Sequence, residues 1–205
     1  MKKIFKIGII LGLLSFFTIY SAYSYSTTVS NNIANSVLRL HVIANSDSVE
    51  DQNLKYKVRD NIINYMNEIS LNAVSKEEAI NIAKQHTNDF YNIAKQTILD
   101  NGYTYDVKIS IGNFYFPTKS YGDIDFPAGF YDALRIEIGN ASGQNWWCVL
   151  FPPLCFVDIS SGIVPEDSKQ QLDSSLSDEE YAILSSSHTS NSINLKFKLL
   201  ELFSK

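Results

Sequence analysis

The side chains that could carry out acid–base or nucleophilic chemistry are few in this sequence. The 205 residues include three histidines and two cysteines. One histidine, His41, is close in the chain to Ser46 and Asp47, and these three are the residue types of a hydrolytic triad. Proximity along a strand and a turn does not by itself place a base against a nucleophile. We therefore interpret His41 as a partly buried strand residue, and the serine and aspartate as the start of a helix.

A second set of candidate groups is a pair of carboxylates, Asp123 and Asp125, in a turn region. Paired carboxylates can act as acid and base or bind Ca²⁺, but aspartate is also common in turns, and we interpret both as turn residues. The sequence has no glycine-rich phosphate loop, no H-E-x-x-H and no G-x-S-x-G motif. It therefore predicts a protein that is not an enzyme and that uses no cofactor or metal.

Both tryptophans and both cysteines of the chain lie between Trp146 and Cys155. In a strand, Trp146 and Trp147 point to opposite faces of the sheet, so only one of them needs to lie in the core. An outward tryptophan would suit a partner interface, whereas a tryptophan covered by a helix or loop would be structural. Both interpretations are open at this point.

Two turn geometries decide whether Cys148 and Cys155 can form a disulfide. If Pro152 and Pro153 are the two loop residues, the cysteines are diagonal neighbours about 7–8 Å apart, at or beyond the bridging limit. If Phe151 and Pro152 form the turn, the cysteines face each other and the peptide bond between those two residues is expected to be cis. A disulfide and a cis bond would thus occur together; the alternative is two small buried hydrophobic side chains.

The chain after the N-terminus begins with one predicted strand and two predicted helices. Residues 36–44 alternate as a strand does, and a capping box follows, either Asp47 with Glu50 or Ser48 with Asp51. The helix after it has apolar residues at steps of three and four, namely Leu54, Val58, Ile62, Tyr65, Met66 and Ile69. A second helix is predicted from the capping box at Ser75 to about Leu99, and it ends at Asn101-Gly102.

The middle of the chain is rich in predicted strands. The clearest alternation covers 103–111, and the other predicted strands are an edge strand at 113–118 and two strands at 131–138 and 145–151, with a hairpin-type connection at 139–143. Residues 159–194 are rich in Ser, Asp and Glu, and we interpret them as a flexible excursion with one short helix from Ser177. Residues 193–203 are apolar again and are expected to return to the core.

These elements predict the α+β class. Residues 25–205 are expected to form a single domain with a mostly antiparallel sheet and the two inserted helices packed on one face.

The N-terminus is predicted to be an export signal at residues 1–24. Lys2, Lys3 and Lys6 precede an uncharged run at 7–20 that is shorter than the roughly 20 residues of a bilayer span. Cleavage is expected before Tyr25; an uncleaved membrane anchor is the alternative. The rest of the chain has 14 basic and 22 acidic residues, because three of the 17 basic residues lie in this segment. That charge predicts no binding to nucleic acid, and contact with a membrane only through the N-terminal segment.

Several separate motifs resemble the stage II sporulation protein R family in their order and content. They are Arg39 to Ser48, Asp51-Gln52, Lys57 to Asp60, Phe116 to Lys119, Tyr121-Gly122, Pro127 to Gly129, Asn145 to Asp158, and Lys196 to Phe203. The resemblance covers nearly the whole chain after the signal segment, and it is weakest over 159–194.

The resemblance implies a function that spacing and periodicity do not show. Such proteins are secreted from the forespore of endospore-forming bacteria into the space between the forespore and mother-cell membranes. There they activate stage II sporulation protein GA, a membrane-embedded aspartic protease of the sporulation septum, which processes the precursor of sigma factor E.

The resemblance supplies no catalytic residues, so we predict partner-binding residues from the motifs instead. They are His41, Asn45, Asp47 and Arg59 in the front motif, and Tyr121, Trp146 and Trp147 in the β-rich part. The alternative function is an extracytoplasmic hydrolase that acts on cell-wall or peptide substrates. It would require His41 and the loop carboxylates to converge in one polar cleft.

Overall fold

The computed structural model describes residues 2–155, 164 and 166–185, with side chains from residue 5 onward. In chain order the elements are α1 (Lys2–Ser36), β1 (Leu38–Ile43), α2 (Val49–Ile69), α3 (Lys76–Gln85), α4 (Thr87–Asp100), β2 (Val107–Phe116), β3 (Lys119–Tyr121), β4 (Ile124–Phe126), β5 (Gly129–Ile138), β6 (Asn145–Phe151), α5 (Glu166–Ser174) and α6 (Asp178–Ser185). The class is α+β, as predicted. The expected return of residues 193–203 to the core lies outside the described residues.

The main sheet has four strands in the order β2-β5-β1-β6, and β3 and β4 form a separate two-stranded sheet. Two of the three pairings in the main sheet are antiparallel, but β1 and β5 run parallel. The connection at 139–143 is therefore not a hairpin, because β1 lies between the two strands that it joins. Turn residues between two strands predict a hairpin, and only the long-range insertion of β1 overrules that prediction.

Residues 107–116 form one ten-residue strand, β2, whose whole length pairs with β5. The sequence predicted two pieces here, at 103–111 and 113–118. Gly112 lies between those two pieces, and in the structure it pairs with Ala133 within the continuous ladder. Tyr103 and Tyr105 precede the strand and stack on each other with ring centroids 5.3 Å apart.

The helices α2, α3 and α4 cover one face of the main sheet, in agreement with the predicted packing. The even-numbered residues of β1 point toward them and are fully buried. They meet the apolar stripe of α2 and its counterpart on α4, formed by Leu54, Val58, Ile62, Met66, Phe90, Ala94 and Ile98. Each large aliphatic side chain buried in this layer contributes about 1.5–3 kcal/mol.

The predicted helix at 75–99 is two helices that meet at His86. Its backbone leaves the helical region there, with φ −100° and ψ 18°. The His86 imidazole Nδ1 lies 2.7 Å from the Tyr65 hydroxyl and 2.8 Å from the Asp89 carboxylate, so the side chain is held at the junction. The apolar period continues across the break, which is why the pattern alone did not show it.

The predicted helix ends agree with the structure. Ser48 and Ser75 are N-caps, and each hydroxyl accepts a hydrogen bond of 3.2 Å from the backbone N–H three residues later. Of the two alternatives at the first helix, the Ser48 cap is the one observed. Gly102 has φ +81°, the left-handed conformation expected after α4.

A second core lies on the opposite face of the sheet. It contains the C-terminal part of α1, the β3–β4 pair and the helices α5 and α6, with Val29, Ile33, Leu172 and Leu184 among its buried residues. The sequence treated 159–194 as a flexible excursion with one helix at Ser177. That helix is present as α6, but the same region also contains α5. The sequence did not predict α5 because this helix has few apolar residues. A single buried leucine, Leu172, attaches it to the second core.

The first helix, α1, continues through the predicted cleavage position to Ser36. From Phe5 it is long and apolar enough to cross a membrane. Its last turns dock on the domain, where the Tyr25 hydroxyl donates to Glu179 and the Asn32 amide donates to Glu180 at 2.7 Å. The predicted boundary at residue 24 thus falls inside a helix, and cleavage before Tyr25 stays a prediction.

Strand β6 ends in a turn with a cis peptide bond between Phe151 and Pro152. Cys148 and Cys155 are joined by a disulfide with a Cα–Cα distance of 5.4 Å. This is the second of the two turn geometries, in which the cysteines face each other.

Gly143 is a sensitive position in this fold. Its N–H donates to the Ala44 carbonyl at 3.0 Å, and a Cβ there would collide with the Ser46 carbonyl. We expect Gly143→Ala to lower the free energy of unfolding by about 1–3 kcal/mol, because backbone atoms must move apart. Gly112→Ala is the matched control: its Cβ would meet only the Phe114 ring, at 3.6 Å, so it should leave stability unchanged or raise it by up to about 1 kcal/mol. Equal unfolding curves for the two variants would contradict the prediction.

Candidate functional site

The second face of the main sheet is covered only in part. α1, α5, α6 and the β3–β4 pair lie over one end, and the other end carries an open cleft of about 500 Å³. Strands β1, β2, β5 and β6 and the loop at 139–144 form its walls. Its lining residues are His41, Ile43, Phe114, Tyr115, Arg135, Ala141, Ser142, Gly143, Asn145 and Trp147. We define this cleft as the open-face cleft.

His41 lies at the centre of the open-face cleft. It is 5% exposed, and its ring stacks on Trp147 with centroids 3.7 Å apart and an interplanar angle of 19°. The Nε2 atom is 2.6 Å from Oδ1 of Asn145, so it carries the proton that this carbonyl oxygen accepts. The buried Nδ1 atom has no hydrogen-bond partner.

The surroundings of His41 keep its imidazole neutral. Burial lowers the pKa of His41 to about 4, and the positive charge of Arg135 acts in the same direction, while the bond to Asn145 opposes the shift. With Nε2 protonated, the neutral ring presents an unshared electron pair at Nδ1. At neutral pH this electron pair is enclosed by the protein, because Nδ1 has almost no accessible surface.

Arg135 supplies the polar group beside this histidine. Its Nη2 atom donates to Glu137 at 2.9 Å, and its guanidinium lies 5.2 Å from the centre of the Phe114 ring. Lys108 approaches the same glutamate at 3.4 Å. The Nε–H of Arg135 is buried and has no partner. Two enclosed polar atoms behind the cleft surface, Nδ1 of His41 and Nε of Arg135, thus have no hydrogen-bond partner.

A buried arginine supports the floor of the open-face cleft. Arg39 is 0% exposed, and its guanidinium lies between the rings of Phe116 and Tyr131, 4.2 and 4.6 Å from their centroids. Its Nη2 atom donates to the Tyr121 hydroxyl at 2.6 Å, and that hydroxyl donates to the Trp147 carbonyl at 3.0 Å. Burial raises the pKa of Tyr121, so the phenol keeps its proton. Tyr121 is therefore a link between the arginine and strand β6.

Asn45 and Asp47 hold the loop at the rim of the cleft. The Asn45 side-chain oxygen accepts from the Asn140 N–H at 2.9 Å, and the Asp47 carboxylate accepts from the Gln144 N–H at 2.7 Å. Asn45 also donates to the buried Asp51 at 2.8 Å. Burial opposes ionisation of Asp51, but hydrogen bonds from Ser46, Asn45 and Tyr105 outweigh it and lower its pKa. The loop is thus fixed by side chains of the β1–α2 connection.

Arg59 and Trp146 lie on the other face of the sheet, away from the open-face cleft. The Arg59 guanidinium stacks 4.1 Å from the Trp146 ring centroid, and Tyr56 packs edge-on against that ring at 5.6 Å. Helix α2 thus covers Trp146, which favours the structural interpretation of this tryptophan. Trp147 points to the opposite face and lines the cleft.

The predicted site residues therefore separate into three groups. His41 and Trp147 meet in the cleft, with Tyr121 beneath them. Asn45 and Asp47 support the rim, and Arg59 with Trp146 belongs to the helix-covered face. Their roles in partner binding stay predictions.

Sequence reasoning missed Arg135, Phe114 and Asn145 as cleft residues. A usable signal was the polar pair Arg135 and Glu137 at alternate positions of a predicted strand, which marks a face that is not fully buried.

The groups that the hydrolase alternative requires, His41 and the carboxylates of Asp123 and Asp125, do not meet in one cleft. The Ser46 hydroxyl donates to Asp51 at 2.5 Å, and the Ser142 hydroxyl donates to the Asn45 carbonyl at 2.7 Å, so neither of these serines bonds to His41. Asp123 pairs with Lys169 at 2.6 Å, and Asp125 is buried in β4, each within the second core and its covering helices. Within residues 2–155, 164 and 166–185, no group of three or more His, Cys, Asp or Glu side chains could hold a metal ion.

The structure is an α+β domain that follows a helix long enough to be a signal or membrane anchor. A family model described as stage II sporulation protein R matches residues 34–161. The chain is 39% identical over 148 residues to stage II sporulation protein R of Bacillus subtilis (strain 168). That alignment covers 72% of this chain and 65% of the relative, so it spans just under two thirds of the relative's length. No solved structure matches the chain.

The chain belongs to the stage II sporulation protein R family. Its role is therefore in sporulation, and the matched region contains β1, the first helix layer, the main sheet and every residue that lines the open-face cleft.

The burial of His41 makes stability depend on pH. Its folded-state pKa of about 4 lies below the ordinary 6.5, so below pH 6.5 the unfolded chain binds a proton that the folded chain does not. Stability from this group is complete above pH 6.5 and is lost as the pH falls toward 4, by up to about 3 kcal/mol. In a His86→Gln, His188→Gln variant, an NMR titration of the remaining imidazole should show a midpoint near 4. A midpoint near 6.5 would contradict the prediction.

Tyr121 should be important for stability through its hydroxyl. Tyr121→Phe removes the acceptor for the buried Arg39 and the donor to the Trp147 carbonyl. We expect the free energy of unfolding to fall by about 2–3 kcal/mol, because a buried charged donor loses its partner. Tyr91→Phe, at an exposed position of α4, is the control and should change it by less than about 0.5 kcal/mol. Urea unfolding measures both, and a neutral Tyr121→Phe would refute the role.

Proposed function

We propose that this chain is a secreted activator of stage II sporulation protein GA. It is exported from the forespore into the space between the forespore and mother-cell membranes. There it binds the membrane-embedded protease and favours its active state, so that the precursor of sigma factor E is cleaved in the mother cell. A ligand can shift a protease toward activity only by binding its active state more tightly than its inactive state.

The observation that carries this proposal is the family match over residues 34–161. Two structural features support it. The apolar helix α1 precedes the domain, as export or anchoring requires, and its C-terminal turns are joined to α6 by side-chain hydrogen bonds. The Cys148–Cys155 disulfide fits an oxidising compartment outside the cytoplasm.

The proposal treats the chain as a ligand and not as a catalyst. His41 is the only histidine among the cleft residues, and within the part of the chain that the structure describes its one ring hydrogen bond is to Asn145. A hydrolytic serine or carboxylate beside it would have supported the alternative of a cell-wall or peptide hydrolase. The cleft instead offers hydrogen-bonding groups and aromatic rings, which suit recognition.

The test is a reconstitution in a bacterium that does not sporulate. The protease and the sigma factor precursor are co-expressed with the full chain, without it, or with a variant that lacks residues 2–24. Immunoblotting measures the shortened sigma factor. We expect shortening only with the full chain, because the variant without the apolar segment stays in the cytoplasm.

Two results would count against this function. Equal processing in the absence of the chain would show that the protease needs no activator. A lack of processing when all three proteins are folded and the chain is exported would contradict direct activation.

A further inference from the structure

Strand β2 forms one edge of the main sheet, and this edge lacks the features that usually keep exposed strands apart. It is ten residues long, and its pairing with β5 continues without a bulge. It contains no proline, and Lys108 is its one charged residue. Among the described residues, no strand pairs with its outer side. Long, regular edges with few charges are templates for pairing with another strand.

The opposite edge of the sheet, β6, carries the usual protection. It has seven residues, its register with β1 shifts beside Leu38, and it ends one residue before Pro152. Short length, a bulge and a proline are devices that prevent pairing at an edge, because each removes or misplaces backbone groups that a further strand needs. The two edges therefore differ, and β2 is the one that can accept a further strand.

The helix layer covers β2 unevenly. Three residues of its first half are half-buried against the core under the helices, namely Val107, Ile109 and Ile111. Helix α4 lies over this half, and its Lys95 ammonium donates to the Tyr105 carbonyl at 2.8 Å just before the strand begins. On the same face of the second half, Asn113 is exposed and Tyr115 is 41% exposed. The edge thus has a covered half and an open half, and both carry apolar side chains.

A second copy of this chain fits this edge because the strand is complementary to itself. In an antiparallel pair with a two-fold axis at Ile111, the covered half of each strand lies beside the open half of the other. Val107 then pairs with Tyr115 of the second copy, and an aromatic ring against a β-branched side chain is a favourable cross-strand pair. The two Lys108 side chains lie about 20 Å apart along the strands, and each faces the Phe114 ring of the other copy. No like charges meet in this arrangement.

We propose that β2 is a self-association surface, through which two copies of this chain pair antiparallel and join their four-stranded sheets into one continuous sheet. The backbone N–H and C=O groups of the edge supply the hydrogen bonds, and the side chains on either side of Ile111 set the register. The pairing requires no other protein, so it does not rest on the proposed function.

Disulfide cross-linking of the exported full chain tests this pairing. The sequence has two cysteines, and both are joined in the Cys148–Cys155 bond, so an introduced cysteine is the only free thiol. The chain is expressed without the protease in a bacterium that does not sporulate, as two copies with different epitope tags, and the cells are oxidised briefly with diamide. A non-reducing immunoblot measures the product that carries both tags.

Ile111→Cys and Lys108→Cys are the two variants to compare. At the two-fold axis the Cα atoms of the two residues at position 111 lie about 4.5–5.5 Å apart, within the range that a disulfide bridges. The two residues at position 108 are too far apart to be bridged, although this side chain is 76% exposed and meets other thiols more often in random collisions. We expect at least about tenfold more double-tagged product from Ile111→Cys than from Lys108→Cys.

A second pair of substitutions, made in the Ile111→Cys background, tests the register. Tyr115→Lys replaces the aromatic ring beside Val107 of the second copy with a charge, and we expect at least about fivefold less product. Val49→Lys is the control, because Val49 is 71% exposed on α2, which lies over β1 and β6, and it should leave the product within about twofold of the parent. Resistance of each exported variant to added protease, equal to that of the parent, shows that it is folded.

Three results would overturn the pairing. Equal product from the two cysteine positions would indicate random collisions between separate chains. A folded Ile111→Cys variant that gives no double-tagged product would show that a second copy does not occupy this edge. A product that carries one tag and the mass of another protein would assign the edge to that protein. Each of these results leaves the activating function standing, because sigma factor processing is measured in separate cells.

Discussion

Strand β1 is buried on both faces and pairs along both edges, and most of the structure depends on that position. All six of its residues pair with β6 on one side, and the five from Arg39 to Ile43 pair with β5 on the other. Its even-numbered side chains enter the core under the helices, while Arg39 and His41 point into the opposite layer. A polar residue in a central strand must find partners within the protein, because water cannot reach it. The second layer is built around these two side chains.

The two polar residues of β1 are held by different contacts, and neither has a partner for all of its hydrogen-bonding atoms. Arg39 is surrounded by aromatic faces and has one strong hydrogen bond to Tyr121, which in turn holds the Trp147 carbonyl. Interaction with ring faces stabilises a guanidinium where no carboxylate is near. His41 lies one step further along the strand, beyond the covering helices, and keeps one nitrogen without a partner. Along β1, Arg39 therefore lies in a closed core, and His41, two residues later, lines the open-face cleft.

The segment that follows β1 holds the loop at the rim of the open-face cleft in place. Asn45 and Asp47, which precede the Ser48 cap of α2, hold the loop at 139–144, and Asp51 in the first turn of that helix accepts a hydrogen bond from Asn45. One short run of sequence thus fixes a strand, a helix start and the rim of the open-face cleft. A loop held in this way has little conformational freedom left to lose when a ligand binds beside it. The tethering of α1 to α6 adds a fixed relation between the domain and its apolar N-terminal helix.

Local patterns in the sequence determined a good part of this protein. The caps at Ser48 and Ser75, the apolar stripe of α2, strand β6 and the apolar N-terminus all follow from contacts between residues a few positions apart. Such contacts depend on helical and strand periods that the sequence displays directly. The family also follows from the sequence, because its motifs are short runs of neighbouring residues.

Only the tertiary structure decided the features that depend on distant pairing. The insertion of β1 between β5 and β6 turned an expected hairpin into a crossing connection. The break at His86 arose from Tyr65 and Asp89, and α5 formed because Leu172 reaches the second core. The open-face cleft joins His41 to Arg135 and Asn145, about a hundred positions away in the chain. Helical and strand periods do not predict which distant residues come together. That depends on the order of the strands in the sheet and on the part of one face that the helices leave uncovered.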